Sequence, residues 1–376
     1  FEQAAKQKEP KSLFNLGYFY FEGKHVVRDI KKGLYYFKLA ADQNLERAQF
    51  QLGFIYSYGI NVPKDIYLAV KYFTLSSNQN NSESQLALGE IYETENDLRD
   101  INKALYYYQL SANQKNRKAL FSLGKIYNEG KLVPRDINKA IHFYEISAKQ
   151  YFPSALVALG FLYATGKHVT FDINKAIHYY QAAAYQNNST AQFNLGHIYY
   201  HGIGGKLDKE RGINYFKMSA KNGYIQANFI TGFIYHEGKY VGRDIEQAIH
   251  YYKEASSFND QYAKNNLGII YRYGFGEKVQ KNLYLAIEYF KEAVNQKNDY
   301  IAMFNLAHIY LFEECNIQNS LDKSIELLVK SSTQGFHISN LLLSVALTLK
   351  FGNDMNRIIN EIIKYTDKES NLPSEI

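Results

Sequence analysis

His197 and His201 stand four residues apart, the one-turn helical spacing at which two imidazoles can share a metal ion. No glutamate follows His197, so the zinc-protease pattern His-Glu-x-x-His is absent. His236 falls at a similar place in the next repeated segment and could approach the pair. The simpler reading takes all three as ordinary groove histidines, and no bound metal or other cofactor is expected. His142, His178 and His250 recur in separate segments and read as solvent-facing. Cys315 is the single cysteine, so an intrachain disulfide and a metal site built on cysteine pairs are excluded. It lacks a histidine at defined spacing, which leaves a nucleophile role without support. Gly202-Ile203-Gly204-Gly205-Lys206 resembles a phosphate loop only superficially, because the spacing is wrong and no Ser or Thr follows the lysine. Histidines and carboxylates are too scattered to define a Ser-His-Asp order. The chain is therefore read as non-enzymatic, with no catalytic residue.

The elements that carry these side chains are set by a repeat. Glycines recur at Gly17, Gly53, Gly89, Gly124, Gly160, Gly196, Gly232 and Gly268, with Ala307 in the ninth place. Their intervals are 36, 36, 35, 36, 36, 36, 36 and 39 residues. A period of this length marks a solenoid, whose units bury their apolar faces only against neighbours. In the fourth copy, Ala119, Leu123, Ile126 and Tyr127 share one helical face. Gly124 beside them weakens a helix, so its return in almost every copy asks for a close neighbour. Gly130, and Gly23, Gly59, Gly166, Gly202, Gly238 and Gly274 with it, would end the first helix in a left-handed conformation. Glu95 and Glu313 depart from this, so the third and ninth loops should differ in shape. Asp136 would start a second helix, matched by Asp29, Asp65, Asp100, Asp172, Asp208, Asp244, Asn282 and Ser320, all strong N-cap types. Each copy thus reads as helix A, a short loop, helix B and a short turn. A tyrosine follows the Leu-Gly pair in every copy, from Tyr20 to Tyr310; its regularity marks it as core rather than a ligand cage. Phe14, Phe50, Phe121, Phe193, Phe229 and Phe304 belong to another face and are expected to pack on the neighbouring copy.

Bulk properties agree with a binding surface more than with a pocket for chemistry. The 376 residues would suggest two or three globular domains, but stacked repeats override that prior. Net charge is +6 with both signs interleaved, so no nucleic-acid partner is expected. No stretch is long and apolar enough to span a bilayer; Leu341 to Leu349 is the most apolar and is too short. Asn80, Asn187 and Asn188 match the glycosylation pattern, as an asparagine-rich chain does by chance, and the compartment stays open between cytoplasm and endoplasmic-reticulum lumen.

The pattern A-x3-L-G-x-I-Y-x2-G, then D-x2-K-A-I-x-Y-Y-x2-A, resembles the SEL-one-like repeat, a longer relative of the tetratricopeptide repeat. It is carried by Ala191-Gln-Phe-Asn-Leu-Gly-His-Ile-Tyr199 for helix A and by Asp172-Ile-Asn-Lys-Ala-Ile-His-Tyr-Tyr-Gln-Ala182 for helix B. Departures are Thr231 for leucine in the seventh copy, and Ala307 and Leu327-Leu328 for the glycine and the aromatic pair of the ninth. The resemblance implies an all-α, right-handed α-solenoid of about nine antiparallel helix pairs. It also implies an adaptor, since members serve ubiquitin-ligase complexes, regulate chitin synthase, mediate bacterial host interactions or sit beside kinase domains. The fold does not choose among these jobs.

The expected layout is the end of a truncated preceding repeat over 1–11, nine repeats over 12–338, a degenerate C-terminal repeat or cap over 339–365, and a flexible tail over 366–376. Phe1 to Gln7 matches Phe37 to Gln43, so the chain is read as opening inside a helix B of a longer protein. Leu341, Leu342, Leu343, Val345, Ala346, Leu347 and Leu349 leave little polar face on the first helix of the last unit, and Ile358, Ile359, Ile362 and Ile363 form a stripe on the second. That apolar unit either closes the stack or docks to a further partner.

If helix A lines the concave side, two positions per copy face the groove. The residue before the core leucine is Asn15, Gln51, Ala87, Ser122, Ala158, Asn194, Ile230, Asn266 and Asn305. The residue two after it is Tyr18, Phe54, Glu90, Lys125, Phe161, His197, Phe233, Ile269 and His308. Asparagine is a poor mid-helix residue, so its return points to a polar role. That role is either to hold an extended backbone or to bond one A helix to the next. Asn15, Tyr18, Gln51, Phe54, Asn194, His197, Asn266, Asn305 and His308 are the expected contacts to a protein or extended peptide. Arg28, Lys64, Arg99, Arg135, Arg243 and Lys281 precede the helix-B caps and would align as a solvated rim or steer an acidic partner. Glu90, Glu93, Glu95 and Asp97 interrupt that rim with acid but lack the order of a calcium loop. The expected function is a non-enzymatic scaffold; the alternative is the regulatory repeat region of a larger enzyme such as a kinase.

Overall fold

The computed structural model describes residues 9–297, 299–313, 319–352, 354, 357 and 358. Cys315, residues 1–8, Ile359, Ile362 and Ile363, and the 366–376 tail lie outside these. Two compact units divide the chain, Phe1–Gln186 and Asn187–Ile376. The first holds five helix pairs: α1 (Pro10–Glu22) with α2 (Ile30–Asp42), α3 (Glu46–Tyr58) with α4 (Ile66–Asn78), α5 (Ser82–Thr94) with α6 (Ile101–Asn113), α7 (Arg117–Glu129) with α8 (Ile137–Ala148), and α9 (Pro153–Thr165) with α10 (Ile173–Ala184). The second holds four: α11 (Ser189–His201) with α12 (Lys209–Lys221), α13 (Ile225–Glu237) with α14 (Ile245–Ser257), α15 (Gln261–Tyr273) with α16 (Leu283–Lys297), and α17 (Tyr300–Phe312) with α18 (Ser320–Thr333). A last helix, α19 (Ile338–Phe351), follows. Among the described residues the only β-type pairing is an isolated bridge between Phe275 and Val279.

Helix ends follow the repeated residues. The Asp136 side chain accepts from the Lys139 amide at 3.0 Å, and seven other copies use their aspartate or asparagine in the same way. The ninth differs: Asn319, not Ser320, is the cap residue of α18, and it makes no side-chain cap bond. Gly130 closes α7 at φ 65°, its amide bonding the Ile126 carbonyl. Where glutamate replaces that glycine, Glu95 and Glu313 leave the helix in extended conformation, and a short 3₁₀ turn, Asn96–Leu98, follows the first of them.

The recurrent mid-helix glycine is explained by one contact. A Cβ on Gly124 would sit 2.5 Å from the Tyr144 ring of its own helix B, and one on Gly89 would sit 2.5 Å from Tyr108. In the ninth copy Ala307 faces Leu328 in one buried cluster, so the larger A-helix residue comes with a smaller B-helix partner. The repeated tyrosine stacks on the other aromatic of helix B: Tyr127 lies 6.0 Å from Phe143, with ring planes 12° apart. The Lys139 ammonium sits 5.2 Å above that ring. The tyrosines of the first eight copies are thus stacked inside their own pairs, and Tyr310 of the ninth lies in a buried cluster.

Two expectations change in detail. The phenylalanine series packs first on its own helix B: Phe121 is 5.7 Å from Tyr144, and it also reaches Phe152, the cap residue in front of α9, at 5.6 Å. The rim bases are also largely committed. Arg135 donates to the carbonyls of Asn128 and Glu129, Arg28 to Phe21 and Arg243 to His236, each binding the open C-terminal carbonyls of its helix A. Lys64 and Lys281 instead reach Glu95 and Glu313, at 2.8 and 2.7 Å. The substituted glutamates therefore pair with the base of the preceding copy.

Candidate functional site

In the first unit, helices α3, α5 and α7 frame an open hollow of about 370 Å³. Phe50, Phe54 and Tyr58 recur every four residues on α3 and form one wall. Phe54 and Tyr58 rings lie 4.8 Å apart, and Phe50 leans on Phe73 at 5.9 Å. Glu83, Ala87, Glu90 and Thr94 line it from α5, and Lys118 comes from α7. Tyr58 is 67% exposed and Phe54 38%, and the two exposed rings lie side by side in the hollow.

The charged groups here differ in how far they are already committed. Glu95 is paired with Lys64, and the Glu83 carboxylate accepts from Asn116 at 2.8 Å. Glu93, beside the hollow, accepts from the Tyr108 hydroxyl at 2.6 Å. Glu90 makes neither a side-chain hydrogen bond nor an ion pair among the described residues. Desolvation by the surrounding protein holds its carboxyl above the ordinary range, against the pull of Lys118 and with help from Glu93 and Glu83.

The structure joins the expected site residues only in part. Phe54 lies in the hollow together with Ala87 and Glu90, the matching groove positions of the next copy. Gln51 is half-buried and not among the residues that line it. Asn15 borders a separate shallow hollow with Lys11, Phe14 and Arg47, and the Tyr18 hydroxyl accepts from Lys24 at 3.1 Å. In the second unit Asn305 donates to Asn265 at 3.0 Å, bonding one A helix to another, and Asn266 lies against the Tyr252 hydroxyl. His308 meets the guanidinium of Arg272, which is buried and ion-paired to Glu313 at 2.7 Å. Burial and then Arg272 depress the His308 pKa. Burial alone would raise Glu313, but bonds from Lys281 and Arg272 outweigh it and hold Glu313 low.

Asn194 is half-buried and His197 exposed, its ring 4.4 Å from His201. Partial desolvation by the protein beside it, and then the neighbouring His201, lower the His197 pKa even though the side chain is exposed. His236 turns to Tyr252 and Phe275 instead of joining them. No group of three or more metal-ligating side chains is gathered among the described residues. Tyr58 and Lys118 do not belong to the expected stripe. Tyr58 sits a turn beyond the counted positions, and Lys118 reaches the hollow from a third copy, so only the four-residue spacing of Phe50, Phe54 and Tyr58 could have signalled the wall.

Comparison with known proteins gives one consistent picture. The sequence model of the Sel1 repeat matches residues 10–45, 46–81, 82–116, 117–152, 153–188, 189–224, 225–257, 261–298 and 301–336. No curated protein matches the chain significantly. Among solved structures, c5321, a protective antigen of uropathogenic Escherichia coli strains with an SLR fold, is 27% identical with a TM-score of 0.72. That match covers 93% of this chain and 74% of the antigen. A Sel1 repeat protein from Oxalobacter formigenes is 28% identical with a TM-score of 0.68, over 80% of this chain and 87% of that one.

Proposed function

This chain belongs to the Sel1 repeat family, and from that premise we propose that it captures a partner protein by an extended segment laid in the hollow of α3, α5 and α7. Sel1 repeat proteins mediate protein–protein interaction, and the fold here is a helical repeat scaffold. No helix among the described residues is long and apolar enough to cross a membrane.

The observation that carries the reading is the wall of Phe50, Phe54 and Tyr58. Phe50 is shared with the core, packed on Phe73, but Phe54 and Tyr58 are exposed, and the core uses other aromatics: Phe73, Tyr108 and Tyr144 fill the glycine notches, and Tyr56 and Tyr92 stack within their pairs. Exposed rings beside a concave polar surface have the make-up of an interface centre, where aromatic anchors supply most of the binding free energy. An extended segment suits a shallow hollow framed by parallel helices, since Thr94, Glu83 and Glu90 offer acceptors along its length.

Selection of random linear peptides on the immobilised full chain tests this. Peptides so obtained should bind the wild type and lose about tenfold or more in affinity for a Phe54→Ala, Tyr58→Ala double variant. The melting temperature should fall only slightly, because Tyr58 is 67% exposed and Phe54 38%, and the variant should remain fully folded at the assay temperature. Equal affinity for the double variant would sink the proposal.

A further inference from the structure

The hollow carries a chemical preference that goes beyond its location. Its carboxylates are Glu83, Glu90 and Glu95, and its cations are Lys64 and Lys118. Internal contacts use most of these: Lys64 neutralises Glu95 at 2.8 Å, and Asn116 occupies Glu83. Glu90 is left on the α5 side, opposite the ring wall of α3, with Lys118 attracting it from α7 at longer range.

We propose that this hollow receives an arginine side chain of the partner's extended segment, with Glu90 as the carboxylate that meets the guanidinium and Phe54 and Tyr58 as the faces it stacks on. This rests on the reading of the hollow as the partner site and adds the chemistry of the partner.

The lining of the hollow favours arginine over three alternatives. A carboxylate without a partner beside exposed rings matches a group that is both cationic and flat, and a guanidinium can bond the carboxylate through two N–H groups while lying on an aromatic face. Lysine offers a point charge with a stronger hydration shell, and so gains less from the rings. An acidic partner would have to face Glu83 and Glu90, with Lys64 already spent on Glu95 and only Lys118 left in the lining to attract it. An uncharged apolar residue would cover the rings but leave Glu90 further desolvated and unpaired.

The test uses arginine-containing peptides from selection on the full chain and their citrulline counterparts, which keep shape and lose charge. Citrulline should weaken binding about tenfold, the factor expected for one charge-assisted pair. Glu90→Gln should weaken the arginine peptide by a similar factor and leave the citrulline peptide unmoved. Lys118→Gln should tighten the arginine peptide, because it removes the cation that competes for Glu90. Selected peptides without a basic residue, or binding indifferent to Glu90→Gln, overturn the arginine proposal. If such peptides still need Phe54 and Tyr58, the hollow remains the partner site and only its chemistry is wrong. Peptides that ignore all of these variants overturn both readings, and weaker binding by Lys118→Gln points to an acidic partner and overturns the arginine one.

Discussion

Glu90 is exposed to water on the hollow side, yet the protein around it disfavours its charge, so the effect on stability is small. Its folded pKa is raised, so ionisation at neutral pH costs stability, and the penalty fades as pH falls through the raised value toward that of the unfolded chain. Glu90→Gln should therefore melt slightly higher than the wild type at pH 7. The gap should close in acid, below the ordinary glutamate range. Melting curves across that range check it, and a variant less stable at pH 7 would mean that Glu90 serves the fold. A residue that costs stability while facing an open hollow fits a binding role. At this scale the sequence is only partly legible. Phe54 and Glu90 can be found by counting from the core leucine, because helical geometry fixes which face they share. What neighbours do with side chains at counted positions cannot itself be counted: Asn305 bonds Asn265 and His308 meets Arg272, though they sit on the same two stripes as Gln51 and Phe54.

Within the first eight helix pairs, the recurrent glycine of helix A is a notch for an aromatic ring. Gly124 admits Tyr144, and the Ala307–Leu328 pair of the ninth copy offers a natural alternative solution. Gly124→Ala should cost about 1–3 kcal/mol by overpacking, despite the gain in helix propensity. Tyr144→Leu should cost roughly 1–3 kcal/mol through the void it leaves. The double variant recreates the ninth-copy pairing and should be more stable than the sum of the two losses predicts, with a coupling of about 1 kcal/mol in urea denaturation. Strict additivity would show that the two positions do not share one notch. Helix pairs, caps and the need for a close neighbour at Gly124 are legible in the sequence because they repeat, and repetition separates residues that serve the unit from those that vary. The partner of the notch is not legible there, since nothing in the spacing says which of two adjacent aromatics, Phe143 or Tyr144, turns inward.

At the scale of the whole molecule, contacts within each unit run mainly between helices next to one another in the chain. Stability in such an array is a sum of pair and neighbour terms, so damage should stay local. The Gly124→Ala variant provides the test through amide hydrogen exchange followed by mass spectrometry. Protection should fall in the copies spanning 82–116, 117–152 and 153–188, which contain the strained pair and those on either side. Copies at 225–257 and 301–336 should exchange as in the wild type. Uniform loss of protection along the chain would instead make it one cooperative body, in which no copy fails alone. The outcome bears on function as well, because the hollow draws its walls from three consecutive copies. If loosening is local, Gly124→Ala should weaken peptide capture at the hollow, whose Lys118 belongs to the strained copy, while an equivalent Gly232→Ala, facing Tyr252 in the second unit, leaves capture intact.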